Sequence, residues 1–214
     1  MLEMKSSLNT VQVDYEWTDK PEIAKDWLES LTTTTAFDFE VASRFNKEQR
    51  KEAIHTLDSI DSYKQAYTTG LSYPENTILT HLGFSNSDNF GRVIVLDDDL
   101  TTEVVLDYLT STNILQIWHN AVFDFRHIHF YTGKFPKNYE DTRLMVKSIK
   151  NNVNNFLGST SLKLLMKKFY GEWEKERVDF EIENKYNEKL LEYTATDVCA
   201  TYKLYNILLK QKKD

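Results

Sequence analysis

One cysteine in 214 residues, Cys199, excludes an internal disulfide. Three prolines and six glycines are too few for a linker-rich, collagen-like or low-complexity chain. No apolar run approaches the roughly 18–20 residues that cross a bilayer, and the N-terminus lacks the apolar stretch of a signal peptide. No membrane partner is expected, and the cytoplasm is the default compartment. Positive charge is also short, with 26 Lys and Arg against 33 Asp and Glu, a net charge of −7. That balance excludes a protein that grips nucleic acid by bulk electrostatics. An enzyme that gathers acids around metal ions and touches a few phosphates stays compatible with it.

What is present suits a globular chain: 41% hydrophobic and 13% aromatic residues can fill the core of one domain of ordinary size. The reading is a single domain over 1–214, with a polar insertion at 46–76. Ile54, Leu57, Ile60 and Tyr63 hint at an amphipathic helix in that insertion, which Gly70 and Pro74 break. Asp19-Lys20-Pro21 opens a helix carrying Ile23, Trp27, Leu28 and Leu31, with an N-cap and an early proline. A strand follows around 34–41. Strands near Ile78–Phe84 and Arg92–Leu96, joined by Ser85-Asn86-Ser87-Asp88-Asn89, read as a hairpin. A helix with Val104, Val105, Tyr108 and Leu109 leads to the apolar strand Ile114–Trp118, which runs into Asn120 as N-cap of a helix over 121–131. A short strand at about 138–140 ends at Asp141, a cap for the next helix. Ser161 begins a helix bearing Leu162, Leu165, Met166 and Phe169, and a last helix covers about 187–211. The order predicts an α/β fold, a mixed five-stranded sheet covered by helices.

Three elements carry acids in positions that chemistry can use. In Thr34-Thr35-Ala36-Phe37-Asp38-Phe39-Glu40-Val41, strand alternation sends Asp38 and Glu40 to one face and Phe37, Phe39 and Val41 to the other. Two carboxylates so close repel unless a positive charge lies between them. In His119-Asn120-Ala121-Val122-Phe123-Asp124, Asp124 falls one helical turn beyond Asn120, beside the end of a core strand. In Tyr193-Thr194-Ala195-Thr196-Asp197, the phenol and carboxylate share a helix face. Taken singly, these read as a wet edge strand, a capped helix and a surface pair.

Together, Asp-x-Glu on a first strand, Asn-x-x-Phe-Asp opening a helix and Tyr-x-x-x-Asp on a late helix resemble the DEDDy family of 3′–5′ exonucleases, within the RNase H-like superfamily. The chain looks most like the proofreading domain of DNA polymerase I-type (family A) enzymes. Glu140-Asp141-Thr142-Arg143-Leu144-Met145 and Ser161-Leu162-Lys163-Leu164-Leu165 are similar to segments found there in the same order. The histidine class places a histidine five residues before the last aspartate; Glu192 stands there, and no histidine follows His129.

The resemblance implies an RNase H-like fold and a nuclease that removes nucleoside 5′-monophosphates from single-stranded DNA 3′ ends. It implies two divalent cations, Mg²⁺ or Mn²⁺, held by Asp38, Glu40, Asp124 and Asp197. Hard cations prefer carboxylate oxygens, and paired ions serve phosphodiester hydrolysis. Tyr193 would orient the attacking water, and Asn120 would contact the terminal nucleotide. Phe180 would stack on a base and Lys163 would meet a phosphate. An RNase D-like RNA exonuclease and a non-catalytic module that binds a DNA end or a polymerase are the alternatives. The length leaves no room for a polymerase domain, so a separate polymerase is an expected partner unless the chain is part of a longer one. Cys199 reads as core, and His127 and His129, two apart on a helix, do not read as a metal pair.

Overall fold

The computed structural model describes residues 13–44, 74–152, 160–170 and 184–211. Its strands are β1 (Asp14–Thr18), β2 (Thr35–Ser43), β3 (Thr77–Ser85), β4 (Phe90–Val95), β5 (Gln116–Trp118) and β6 (Tyr139–Asp141). Its helices are α1 (Pro21–Glu29), α2 (Asp99–Ser111), α3 (Val122–Thr132), α4 (Thr142–Asn152), α5 (Leu162–Tyr170) and α6 (Glu188–Gln211).

The strands form one mixed sheet in the order β1-β4-β3-β2-β5-β6. β3 is antiparallel to both β2 and β4, as the hairpin reading requires, while β2–β5, β5–β6 and β1–β4 are parallel. The expected α/β architecture is therefore observed, with six strands instead of five. The extra one is β1, an edge strand whose exposure pattern (Asp14, Glu16 and Trp17 exposed, Thr18 buried) lacks the alternation that marks a strand from sequence. Its pairing with β4, from Asp14 opposite Phe90 to Thr18 opposite Ile94, is a long-range choice.

Trp118 fastens β2 to β5. It is fully buried, stacks on Phe37 and Phe39 of β2 at 5.6 and 6.1 Å between centroids, and meets Phe125 of α3 edge-on. Burial of one such ring contributes roughly 4–6 kcal/mol before the entropy of ordering is subtracted. Phe37 and Phe39 thus face the core beneath α3, as alternation predicts, leaving Asp38 and Glu40 half-buried on the opposite face.

α6 lies on that opposite face, at very close range. A methyl group at Gly83 of β3 would stand 2.8 Å from Thr194 Cγ2 and 3.0 Å from Val198 Cγ1; one at Gly91 of β4 would stand 3.0–3.1 Å from Ala195 Cβ, Cα and carbonyl oxygen. Only a residue without Cβ permits this approach. Gly83 is also the register partner of Asp38. The helix residues next to Thr194 and Val198, namely Tyr193 and Asp197, are thereby carried to the strand that bears Asp38 and Glu40.

Two caps differ from expectation. α1 has Lys20, in an extended conformation and without a side-chain cap bond, ahead of Pro21, so Asp19 is not its cap. Asn120 is not a side-chain cap of α3 either: the residue before the helix is Ala121, and Asn120 takes a positive φ of 70°. The amides of the two residues ahead of that helix find Asp141. Its Oδ1 accepts from Asn120 N at 3.1 Å and its Oδ2 from Ala121 N at 3.0 Å, while Oδ1 also caps α4 through Arg143 N at 2.8 Å. One carboxylate from β6 therefore ties the starts of two helices together.

Candidate active site

β2 and β5 pair over only two positions, Thr35 with Gln116 and Ala36 with Ile117. Beyond them the strands part at their carboxyl ends, where open α/β sheets place their ligands. The Phe39 N–H has left the ladder on that side, and Asp124 Oδ1 from α3 accepts it at 3.0 Å. Asp124 is 1% exposed, and burial pushes its carboxyl well above the usual carboxylate range, with the Phe39 N–H pulling it back down and Asp141 pushing it further up.

On the side of β2 that α6 covers, Asp38, Glu40 and Asp197 each offer a carboxylate oxygen, and these three oxygens lie within 4.8 Å of one another; Asp124 is not part of that group. The bulge between Glu40 and Val41 turns the strand just after the second acid. Tyr193 stands one turn ahead of Asp197 on α6 and is half-buried. The structure therefore brings together acids from β2 and α6, with Asp124 of α3 bound to the peptide between Asp38 and Glu40.

The donor set suits a hard divalent cation. Around Mg²⁺ or Mn²⁺, ligand oxygens at about 2.1 Å from the ion are separated by roughly 3–4 Å, close to the spacing these carboxylates already hold. Three half-buried acids at this range would otherwise repel, which is the arrangement a cation relieves.

A second, cationic group of contacts borders the acids. His119 meets Thr142 Oγ1 through Nδ1 at 2.8 Å and donates from Nε2 to the Thr160 carbonyl at 3.0 Å. Burial holds its pKa below the ordinary value; Asp141, the Thr160 carbonyl and Asp197 act to raise it, and Arg143 to lower it. Arg143 donates from Nε to Thr160 Oγ1 at 3.1 Å and from Nη1 to Asn120 Oδ1. The sequence reading assigned no role to His119, Arg143 or Thr160. The available signal was an arginine two residues after the capping Asp141, at the start of a helix.

Of the remaining expected residues, Lys163 lies exposed in the first turn of α5, the helix that Thr160 leads into. Phe180 and nearly all of the 46–76 segment fall outside the described residues. His127 is buried and bonded to Thr77 Oγ1 and the Phe123 carbonyl, whereas His129 is exposed and stacks on Phe135, so the two do not form a metal pair. Cys199 is fully buried with its Sγ 3.6 Å from Ser85 Oγ, and burial pushes the thiol up to about 11. A disulfide reagent such as dithionitrobenzoate is accordingly expected to leave the native protein unlabelled at neutral pH and to take up one equivalent in denaturant, read by absorbance. Rapid native labelling would contradict the core assignment.

A family model described as 3′–5′ exonuclease matches residues 15–213. No curated protein matches the sequence. Among solved structures, NrnC of Brucella melitensis superposes with a TM-score of 0.61 at 15% identity, over 95% of this chain and 82% of that one. RNase D of Escherichia coli, described as an exoribonuclease involved in structured RNA processing, has a TM-score of 0.66 at 14% identity, over 94% of this chain and 46% of that one. The catalytic core of RRP6 from Trypanosoma brucei has 0.59 at 14%, over 95% of this chain and 48% of that one. At these identities the likeness is one of fold.

Proposed function

From the premise that the chain belongs to the 3′–5′ exonuclease family, whose model spans residues 15–213, we propose that it removes nucleoside 5′-monophosphates from the 3′ end of single-stranded DNA. The observation that carries this reading is the meeting of Asp38, Glu40 and Asp197 within 4.8 Å, with Asp124 held at the Phe39 amide between the two strand acids. Asp38, Glu40 and Asp197 would hold one divalent cation, and Asp38 with Asp124 a second. Ions held there would supply Lewis-acid stabilisation of charge on the phosphate and lower the pKa of water. Tyr193, one turn from Asp197, accepts a hydrogen bond from the attacking water and orients it toward phosphorus. Asn120 contacts the terminal nucleotide, Lys163 a neighbouring phosphate, and Phe180 stacks on a base.

RNA is the second reading. RNase D and RRP6 share the fold, and NrnC of Brucella melitensis has been solved bound to pGG and with bound Mg²⁺. A DNA substrate is supported by the polymerase A-type family model and by the segments around Asp141 and Ser161. A separate polymerase would be the partner in proofreading, and 1–214 would be one exonuclease domain with 46–76 inserted.

Matched single-stranded DNA and RNA of one sequence, each with a free 3′ hydroxyl, separate the readings. The expected result is stepwise shortening of DNA with Mn²⁺ or Mg²⁺, at least tenfold faster than of RNA, and none in the presence of a chelator. Faster RNA shortening selects the RNase D-like reading. Hydrolysis that persists after exhaustive chelation rejects the metal-dependent mechanism itself.

A further inference from the structure

Arg143 carries a charge that the described fold does not neutralise. It lies in the first turn of α4, where the positive end of the helix dipole disfavours a cation, and it is half-buried. Among the described residues no carboxylate lies within ion-pair distance of its guanidinium. Asp141, its neighbour, spends both oxygens on four backbone amides, those of Asn120, Ala121, Arg143 and Leu144. The Arg143 side chain is instead held by two neutral acceptors, Thr160 Oγ1 and Asn120 Oδ1.

This placement also settles how Asn120 is turned. A guanidinium only donates, so the atom facing it must be the amide oxygen, and the Asn120 NH₂ is left to point elsewhere. The left-handed backbone at Asn120, φ 70°, is a conformation that packing must sustain. Beyond the contact between them, the Asn120 NH₂ and the remaining N–H groups of the Arg143 fork are donors. The pair sits beside His119, which the charges of both Arg143 and Asp197 influence, just ahead of the helix that carries Asp124. Donors of this kind, one charged and forked, call for an acceptor-rich anion.

We propose that Arg143 binds a phosphodiester of the substrate near the 3′ end and, through the same guanidinium, holds Asn120 in its substrate-binding orientation. The inference rests on the exonuclease reading for the identity of the strand and deepens it by assigning a residue to one linkage.

The test is a binding cycle. Fluorescent single-stranded DNA carrying one uncharged methylphosphonate, placed in turn at each of the last three linkages, is titrated with the wild type and with Arg143→Met in chelator, by anisotropy. At one linkage the methylphosphonate is expected to weaken wild-type binding roughly ten- to a hundredfold, the effect of a charge-assisted hydrogen bond, and to have no effect on Arg143→Met. Should Arg143→Met fail to fold, Arg143→Lys, which retains the charge without the fork, is expected to show a reduced dependence at that same linkage. Equal sensitivity of wild type and variant at all three linkages overturns the proposal, as does absence of wild-type binding. Hydrolysis is measured separately on unmodified DNA: shortening without linkage-specific coupling removes only the role of Arg143, and coupling without shortening removes only the exonuclease reading.

Discussion

Asp38→Ala is expected to lower 3′-end hydrolysis by at least about a thousandfold while leaving the ion-free protein folded. The catalytic loss follows from the position of Asp38 as the acid shared between the two proposed ion positions; a loss of about 4 kcal/mol of transition-state stabilisation corresponds to that factor. The stability half of the prediction comes from the three carboxylate oxygens lying within 4.8 Å of one another. Like charges at such range repel by roughly 1–4 kcal/mol per pair, depending on solvent access. Removing one lessens that repulsion, so the fold is expected to persist without the Asp38 carboxylate. Thermal melting distinguishes this from a folding defect. Mn²⁺ is expected to raise the wild-type midpoint, because a ligand that binds only the native state stabilises it, and to leave that of Asp38→Ala unmoved. A variant that retains activity, or whose midpoint still climbs with Mn²⁺, would remove Asp38 from the site.

Gly83→Ala tests the packing that brings the second half of the site to the first. The new methyl would meet Thr194 Cγ2 at 2.8 Å and the Thr194 carbonyl oxygen at 3.1 Å. The side-chain methyl can rotate away, but the carbonyl belongs to the α6 backbone. The helix must therefore lift or slide, at a cost of about 1–3 kcal/mol. Thr194 and Val198 flank the same face that presents Tyr193 and Asp197, so a shift there moves both relative to Asp38, the register partner of Gly83. A misplacement near 1 Å can cost on the order of a hundredfold in rate, so turnover is expected to fall ten- to a hundredfold under conditions where the variant is still fully folded. Gly91→Ala, one strand further from Asp38, is expected to cost similar stability and less activity. If Gly83→Ala loses stability alone, α6 accommodates the methyl without moving Asp197.

The parts of this site that could be read early were those governed by local period. Alternation along β2 placed Asp38 and Glu40 together, and helical spacing placed Tyr193 one turn from Asp197. The hairpin was legible from the turn residues 85–89 between two apolar runs. The strand β1 was not, because an edge strand with half of its apolar residues exposed carries no clean alternation. Asn120 shows the limit of local rules in the other direction. It has the side chain of an N-cap, yet that side chain caps nothing, and the backbone amides of Asn120 and Ala121 donate to Asp141, twenty-one residues later and on another strand. The Asn120 carboxamide oxygen accepts from Arg143 instead. No spacing rule connects residues 120, 143 and 160, so the cationic border of the site was invisible.

Sequence alone determined which acids exist, which face of its element each occupies, and the family to which their order belongs, because side-chain direction along a strand or helix follows from backbone geometry within a few residues. Tertiary structure decided that these faces meet: Gly83 and Gly91 admit α6 against the sheet, β2 and β5 part to let Asp124 reach Phe39, and Asp141 joins two helix ends beside them. Those outcomes depend on the packing of segments far apart in the chain, where steric fit and hydrogen-bond satisfaction, rather than periodicity, select the arrangement.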